Sequence, residues 1–199
     1  MATPSGPRDS TRLRILDATG VVLARRGPRK LSLTDIAAEA GVSRPTLYKY
    51  FSSKDELLLA LSDHEKARFT RGMATALDGL AGAARLDRAL QFMVEFQHDY
   101  PMRELVAIEP GFMIGQLEGS LPPMRASLVP LFAELDPQGA AGPADLADLV
   151  VRAALCHFLI PGDDAQLLRE LRHVAGLPAA PTDATHATDP AAASRASTR

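Results

Sequence analysis

Apolar residues return at helical spacing along most of this chain. Leu13, Leu16, Gly20 and Leu23 form the first such series, which closes at Arg26-Gly27-Pro28 with arginines in its last turn, so a helix is expected over residues 10–26. Ser32 then stands as an N-cap, with Asp35 three positions on in a capping-box arrangement. It precedes Leu33, Ile36, Ala37 and Ala40 at i, i+3, i+4 and i+7. Gly41-Val42-Ser43 is a tight turn. Ser43 caps a brief segment, residues 44–50, whose Pro45 lies in the first turn, where a missing N–H costs nothing. Ser53-Lys54-Asp55-Glu56 reads as a capping box opening a long helix to about residue 80, ended by Gly79 and Gly82.

Further helices are expected over residues 87–100, stopped by Pro101, and over 102–108 and 124–135. Pro110 with Gly111, Gly115 and Gly119 breaks up residues 110–123, and residues 137–143 read as a loop. Residues 144–160 are apolar on nearly all sides (Leu146, Leu149, Val150, Ala153, Leu155, Phe158), which predicts a helix buried on more than one face. Pro161-Gly162 turns the chain into a last helix, 163–175, with Leu167, Leu168, Leu171 and Val174 on one side. No run alternates apolar and polar residues as a half-buried strand does. The expected fold is all-α.

Composition agrees. The 199 residues include no Trp and only 5% aromatics, so the core must come from Leu, Ala, Val, Ile and Met. A single cysteine, Cys156, excludes an internal disulfide framework and a Cys-rich zinc module. The most apolar stretch is interrupted by Asp145, Asp148, Arg152 and His157, and the N-terminus has charges where a signal peptide needs an apolar run. No membrane span is expected, and a cytoplasmic protein is the default. Residues 1–9 and 177–199 lack periodicity and read as disordered tails.

The net charge of −2 conceals an asymmetry. Residues 1–54 hold ten Lys and Arg against four Asp and Glu, a surplus of six, which leaves −8 on the rest. A basic head on an acidic body suits polyanion binding, although a chance distribution with a basic tail would give the same count.

A helix, a three-residue turn with glycine and a short second helix make the helix-turn-helix shape. Ile36, Ala37, Val42 and Leu47 supply the apolar contacts that fix the two helices. The outer face of the second then carries Arg44, Thr46, Tyr48, Lys49 and Tyr50, including two of the chain's three tyrosines. Cationic, hydroxyl-bearing and aromatic groups are what a helix entering the major groove needs.

From Leu33 to Leu61 the chain resembles the DNA-binding region of TetR-family (tetracycline-repressor-like) transcriptional regulators. The residues that carry the likeness are Ile36-Ala37, Ala40-Gly41-Val42-Ser43, Thr46-Leu47-Tyr48, Tyr50-Phe51 and Ser53-Lys54. The resemblance implies about nine helices: a three-helix DNA-binding head, residues 10–54, and a ligand-binding and dimerising body, residues 55–176. It implies backbone or base contacts from Ser32 and Thr34, and recognition-helix positions at Arg44, Pro45, Thr46 and Lys49. Arg44 is the candidate for a bidentate guanine contact. Tyr48 matches a phosphate-binding tyrosine, and Lys54 with the start of its helix matches a phosphate site. Pro45 stands where many family members have glycine, so base preference stays open. Leu47 and Phe51 are expected in the core, and Tyr50 partly so.

Four of seven phenylalanines (Phe92, Phe96, Phe112, Phe132) and four of six methionines (Met93, Met102, Met113, Met124) fall between residues 92 and 132. Such a density suits a deformable apolar pocket, and equally an ordinary core with methionine as gap-filler. The family resemblance favours the pocket, with residues 110–123 as wall or gate and a small, largely apolar effector. Gln97, His98, Tyr100, Glu109, Gln116 and Glu118 are its candidate polar anchors. The last two helices match those that pair across a homodimer in the family, which places Leu149, Ala153, Cys156, His157, Leu168 and Leu171 at the seam. Cys156 would be a buried, inert thiol. Enzyme motifs are missing: there is no nucleophile elbow, P-loop or dinucleotide fingerprint, and the position four after His64 is Arg68, so no zinc-protease pair forms. No cofactor or metal is expected. The competing class is a helical interaction module or a bundle-type enzyme with an incidental basic head.

Overall fold

The computed structural model describes residues 7–135 and 141–178, in which all regular structure is helical. Ten helices follow one another: α1 (Pro7–Arg26), α2 (Leu33–Glu39), α3 (Arg44–Tyr48), α4 (Lys54–Ala76), α5 (Gly82–His98), α6 (Leu105–Ile108), α7 (Pro110–Glu118), α8 (Leu121–Leu135), α9 (Pro143–Leu159) and α10 (Asp164–Val174). The helix beyond the expected nine is α7, in the stretch that proline and glycine were expected to break. Pro110 opens α7 and Pro122-Pro123 fall in the first turn of α8, where the prolyl nitrogen has no helical acceptor to lose. Among the described residues only Pro130 lies inside a helix beyond its first turn. Boundaries also move: α4 ends at Ala76 rather than near residue 80, and α5, α6 and α8 start at Gly82, Leu105 and Leu121 rather than at 87, 102 and 124. Pro7 to Asp9, read as tail, are already helical. The remaining tail residues 1–6 and 179–199, and residues 136–140, which include the first four of the expected 137–143 loop, lie outside the described residues.

Two apolar clusters organise the molecule. The first is the core of the head, with Ile15, Leu16, Leu23, Ile36, Leu47, Phe51 and Leu57 all buried. Leu13, expected on the buried stripe of α1, is exposed. The inward face instead runs through Ile15, Leu16, Thr19, Val22 and Leu23, and the Thr19 hydroxyl is satisfied by donating to the Ile15 carbonyl at 2.6 Å. This cluster does not stop at residue 54: Met102, Leu105, Met113 and Phe158 complete it from the body side.

The second cluster joins α5, α8, α9 and α10 through Leu90, Met93, Leu128, Phe132, Val150 and Leu171. The helix α4 belongs to both, giving Leu57 and Leu61 to the head core and Phe69 and Met73 to the body core. Its Gly72 allows α5 to approach closely, since a Cβ there would stand 2.6 Å from the Phe92 ring. Asp87 on α5 accepts two hydrogen bonds from Arg172 on α10, at 2.6 and 3.0 Å, in the planar fork geometry that suits guanidinium and carboxylate. At the other end of α10, the Asp164 carboxylate lies 2.7 Å from both His98 Nδ1 and His157 Nε2, so three helix ends meet on one side chain.

Candidate functional site

The head is built by local rules. The backbone N–H of Val42 donates to the Ala37 carbonyl at 2.9 Å and that of Gly41 to the Ala38 carbonyl at 3.1 Å, the paired bonds of a Schellman stop to α2. The motif needs a left-handed residue, and Gly41 supplies it at φ +63°. Two residues later the Ser43 hydroxyl accepts the Thr46 N–H at 3.2 Å and starts α3. Leu47 and Phe51 are buried as expected, and Tyr50 is partly buried. Both expected capping boxes are modified. Ser32 accepts from the Thr34 N–H while Asp35 turns to Arg26, 2.8 Å away. Glu56 bonds the N–H and hydroxyl of Ser52 instead of the Ser53 N–H.

With Leu47 inside, the opposite face of α3 presents Arg44, Pro45, Tyr48 and Lys49 to solvent, and Tyr48 is 52% exposed. Residues 44 and 48, and 45 and 49, are one turn apart, so all four side chains share one face. Arg44 and Lys49 have no ion-pair partner among the described residues, whereas Arg25 and Arg26 are held by Glu39 and Asp35. The exposed cations of α3 are therefore not neutralised by the head's own acids. Thr34 is exposed at the start of α2, and Ser32 half-buried. The Thr46 hydroxyl is 2.8 Å from that of Ser43, and the Lys54 ammonium donates to the Pro28 carbonyl. Lys54 thereby ties α4 to the α1–α2 loop and keeps further N–H groups for an anion.

Between the two clusters lies a cleft of about 850 Å³, counting its solvent-open part. Its floor comes from α4, whose Leu58, Leu61, Ser62, Glu65, Lys66 and Phe69 recur at three- and four-residue spacing along one face. Phe96, Gln97 and Tyr100 enter from the end of α5, Phe112, Met113 and Gln116 from α7, and Leu155 and Phe158 from α9. Leu23 reaches in from α1, inside the head. Of the eight Phe and Met expected at a ligand site, Phe96, Met102, Phe112, Met113 and Met124 line this cleft. Phe92, Met93 and Phe132 do not. Phe92 stacks across Gly72 with ring contacts to Phe69 and Phe96, and Met93 and Phe132 are buried in the body core. Leu61, Phe69 and Phe158, which the sequence did not assign to a ligand site, line it as well. The helical period of α4 was the available signal, but it does not separate a cavity wall from a packed core.

Among the six candidate anchors, Gln97, Tyr100 and Gln116 reach the cleft. His98 faces Asp164, Glu109 pairs with Arg29, and Glu118 is exposed. The carboxamide of Gln97 is buried, and neither its Nε2 nor its Oε1 has a partner among the described residues. Burial, reinforced by Glu65, raises the Tyr100 pKa far above the ordinary phenol value, so Tyr100 remains a neutral hydroxyl.

The helix α9 turns Leu149 and Cys156 outward, with Leu149 52% exposed, while Ala153 between them is partly buried against the body core. Cys156 is thus exposed in the single chain rather than buried. Leu171, expected beside them, is 1% exposed and packs into its own body, while Leu168 is half-buried. His157 is largely covered and points to Asp164. No group of three His, Cys, Asp or Glu among the described residues could hold a metal, and no described helix is long and apolar enough to cross a membrane.

A Schellman turn between two short helices, an unneutralised basic face on the second and a helical body behind them define a helix-turn-helix DNA-binding regulator. The comparisons agree. Residues 15–61 match the family described as bacterial regulatory proteins, tetR family. The HTH-type transcriptional repressor Rv3405c of Mycobacterium tuberculosis is 30% identical over 156 residues, covering 78% of this chain and 71% of that protein. The HTH-type transcriptional activator FasR of Mycolicibacterium smegmatis is 37% identical over 95 residues, 47% of this chain and 43% of FasR. The crystal structure of a TetR-like transcriptional regulator from Rhodococcus sp. RHA1 superposes with a TM-score of 0.61 at 27% identity, covering 86% of this chain and 97% of that one. The chain belongs to the TetR family of transcriptional regulators.

Proposed function

We propose that this protein is a repressor that binds a palindromic operator as a homodimer and is released by a small, largely apolar effector. The carrying observation is that one helix serves both ends: α4 begins at the DNA-facing head with Lys54 and lines the cleft from Leu58 to Phe69. An effector that favours the DNA-free placement of α4 weakens operator binding by the same factor by which the operator weakens it. A preference of about 100-fold, or ~2.7 kcal/mol, empties most operators held near saturation.

On this reading residues 10–54 form the DNA-binding head and residues 55–176 the effector and dimer body. Arg44 reads a guanine, and Pro45, Thr46 and Lys49 contact neighbouring groove positions. Ser32, Thr34, Tyr48 and Lys54 hold phosphates. The effector site comprises Phe96, Met102, Phe112, Met113 and Met124, with Phe92, Met93 and Phe132 supporting its wall from outside. The dimer seam runs through Leu149, Ala153 and Cys156, flanked by Leu168 and His157; Leu171 holds α10 in place from within. The two recognition helices should then enter major grooves about 34–36 Å apart or slightly more.

Repression is preferred over activation because Rv3405c, named a repressor, matches 78% of this chain, whereas FasR, named an activator, matches 47%. The test pairs gel shifts on the DNA upstream of the protein's own gene with a reporter driven by it. A slower-moving complex containing a dimer, and reporter output that rises when the gene is deleted, are expected. Output that falls on deletion overturns the repressor reading, and a monomer bound tightly to one half-site overturns the dimer.

A further inference from the structure

The cleft is mostly hydrocarbon, yet the protein leaves the carboxamide of Gln97 on its wall unanswered, along with Arg68 Nη2 beside Phe96. Gln97 is 6% exposed, and both ends of its carboxamide lack a partner among the described residues. A buried amide donor or acceptor without a hydrogen bond is costly, so an orphan of both kinds at a cavity wall implies a bound group that completes it. The formal charges around it have one partner each. The Glu65 carboxylate is 2.9 Å from the Arg68 guanidinium, Lys66 Nζ lies 3.5 Å from Asp63, and Tyr100 remains an uncharged phenol. The Arg68 guanidinium is itself covered by the Phe96 ring, 4.2 Å from its centroid. A charged ligand head would have to share Lys66, whose one contact to the exposed Asp63 is long, and would lose much of its hydration against the surrounding hydrocarbon.

Resting on the reading of this cleft as the effector site, we propose that Gln97 is its specificity-determining residue. The effector carries, on an otherwise apolar body, a neutral group that both donates and accepts a hydrogen bond, such as an amide, a lactam or a hydroxyl. An amide or lactam fits best. Its carbonyl can meet Nε2 and its N–H Oε1 in one planar pair once the Gln97 side chain, whose two polar atoms are covered in the ligand-free chain, turns toward the cleft, and the apolar remainder then lies among Leu61, Phe69, Phe112 and Phe158.

The test uses the full-length protein, Nile red as a displaceable apolar dye, and three probes of similar length: decanamide, methyl nonyl ketone and decanoate. The wild type should bind decanamide about tenfold more tightly than the ketone, which offers an acceptor only, and decanoate most weakly. In Gln97→Leu the preference for decanamide over ketone should collapse to about twofold or less, with ketone binding retained. The ligand-free variant should melt no lower than wild type, because leucine removes two orphaned groups. Equal binding of amide and ketone by the wild type, or an unchanged preference in Gln97→Leu, overturns this assignment while the effector cleft stands. A lower melting temperature for ligand-free Gln97→Leu also overturns it, by showing that the amide is satisfied without a ligand. If neither dye nor any probe binds, the cleft is no effector site, and both readings fall.

Discussion

Glu109, at the corner between α6 and α7, reaches the α1–α2 loop of the head and places its Oε1 3.2 Å from the Arg29 Nε. The same corner sends Met113 into the head core and Phe112 into the cleft. One short segment therefore touches the head and the effector site at once. The ion pair is the weaker of its two bonds to the head, because Arg29 is 86% exposed and solvent screens such pairs to about 0–1 kcal/mol. The apolar contacts of Met113 and Phe158 carry most of the attachment. Glu109→Gln should accordingly change the unfolding free energy by no more than ~1 kcal/mol, whereas Met113→Ala should cost about 2–5 kcal/mol. Denaturant titration of both variants decides it, and equal costs would reverse the ranking.

The exposed face of α3 separates two kinds of DNA contact. Arg44→Ala should cost about 1–3 kcal/mol on the cognate operator and relax base preference at one position of each half-site. Tyr48→Phe should weaken all sequences alike, and Lys54→Ala should in addition flatten the dependence of affinity on salt. Competition binding against operator libraries at several salt concentrations reads both effects. Equal losses on cognate and scrambled DNA for Arg44→Ala would assign that arginine to phosphate.

The fork between Asp87 and Arg172 makes stability depend on acid. Hydrogen bonding from Arg172, against partial burial, holds the Asp87 carboxyl below its ordinary pKa. A depressed carboxylate contributes fully above the unfolded-state value near 4 and loses that contribution as pH falls through the folded value. Asp87→Asn should therefore cost about 1–3 kcal/mol at neutral pH, with the gap to wild type closing below about pH 4. Parallel unfolding curves from pH 7 downward measure the gap. One that widens in acid would contradict the assignment.

Two leucines near the C-terminus should respond in opposite ways to the same change. Leu149→Asp alters a side chain that is half exposed in the single chain, so it should yield a folded monomer with weakened operator binding. Leu171→Asp puts a charge into the body core and should unfold the protein outright. Sedimentation with circular dichroism distinguishes them. A dimeric Leu149→Asp protein would move the seam off α9.

The sequence by itself determined what is set within a few residues along the chain. Ser43 as the start of α3, Gly41 as the turn, Leu47 inward and Tyr48 outward all follow from capping, backbone freedom and helical period. These features survive in any tertiary setting that keeps the helices. Where such a rule competed with packing, packing decided. The Ser52 groups drew the Glu56 carboxylate away from its box, and prolines at helix starts left α7 and α8 intact where they looked like breakers. Proximity in sequence also misled for Phe92, Met93 and Phe132. The angular phase of α5 and α8 against α4, rather than residue type, decides which apolar side chains border a void. That phase is the joint result of contacts such as Arg172 with Asp87, 85 residues apart, and no local period contains it.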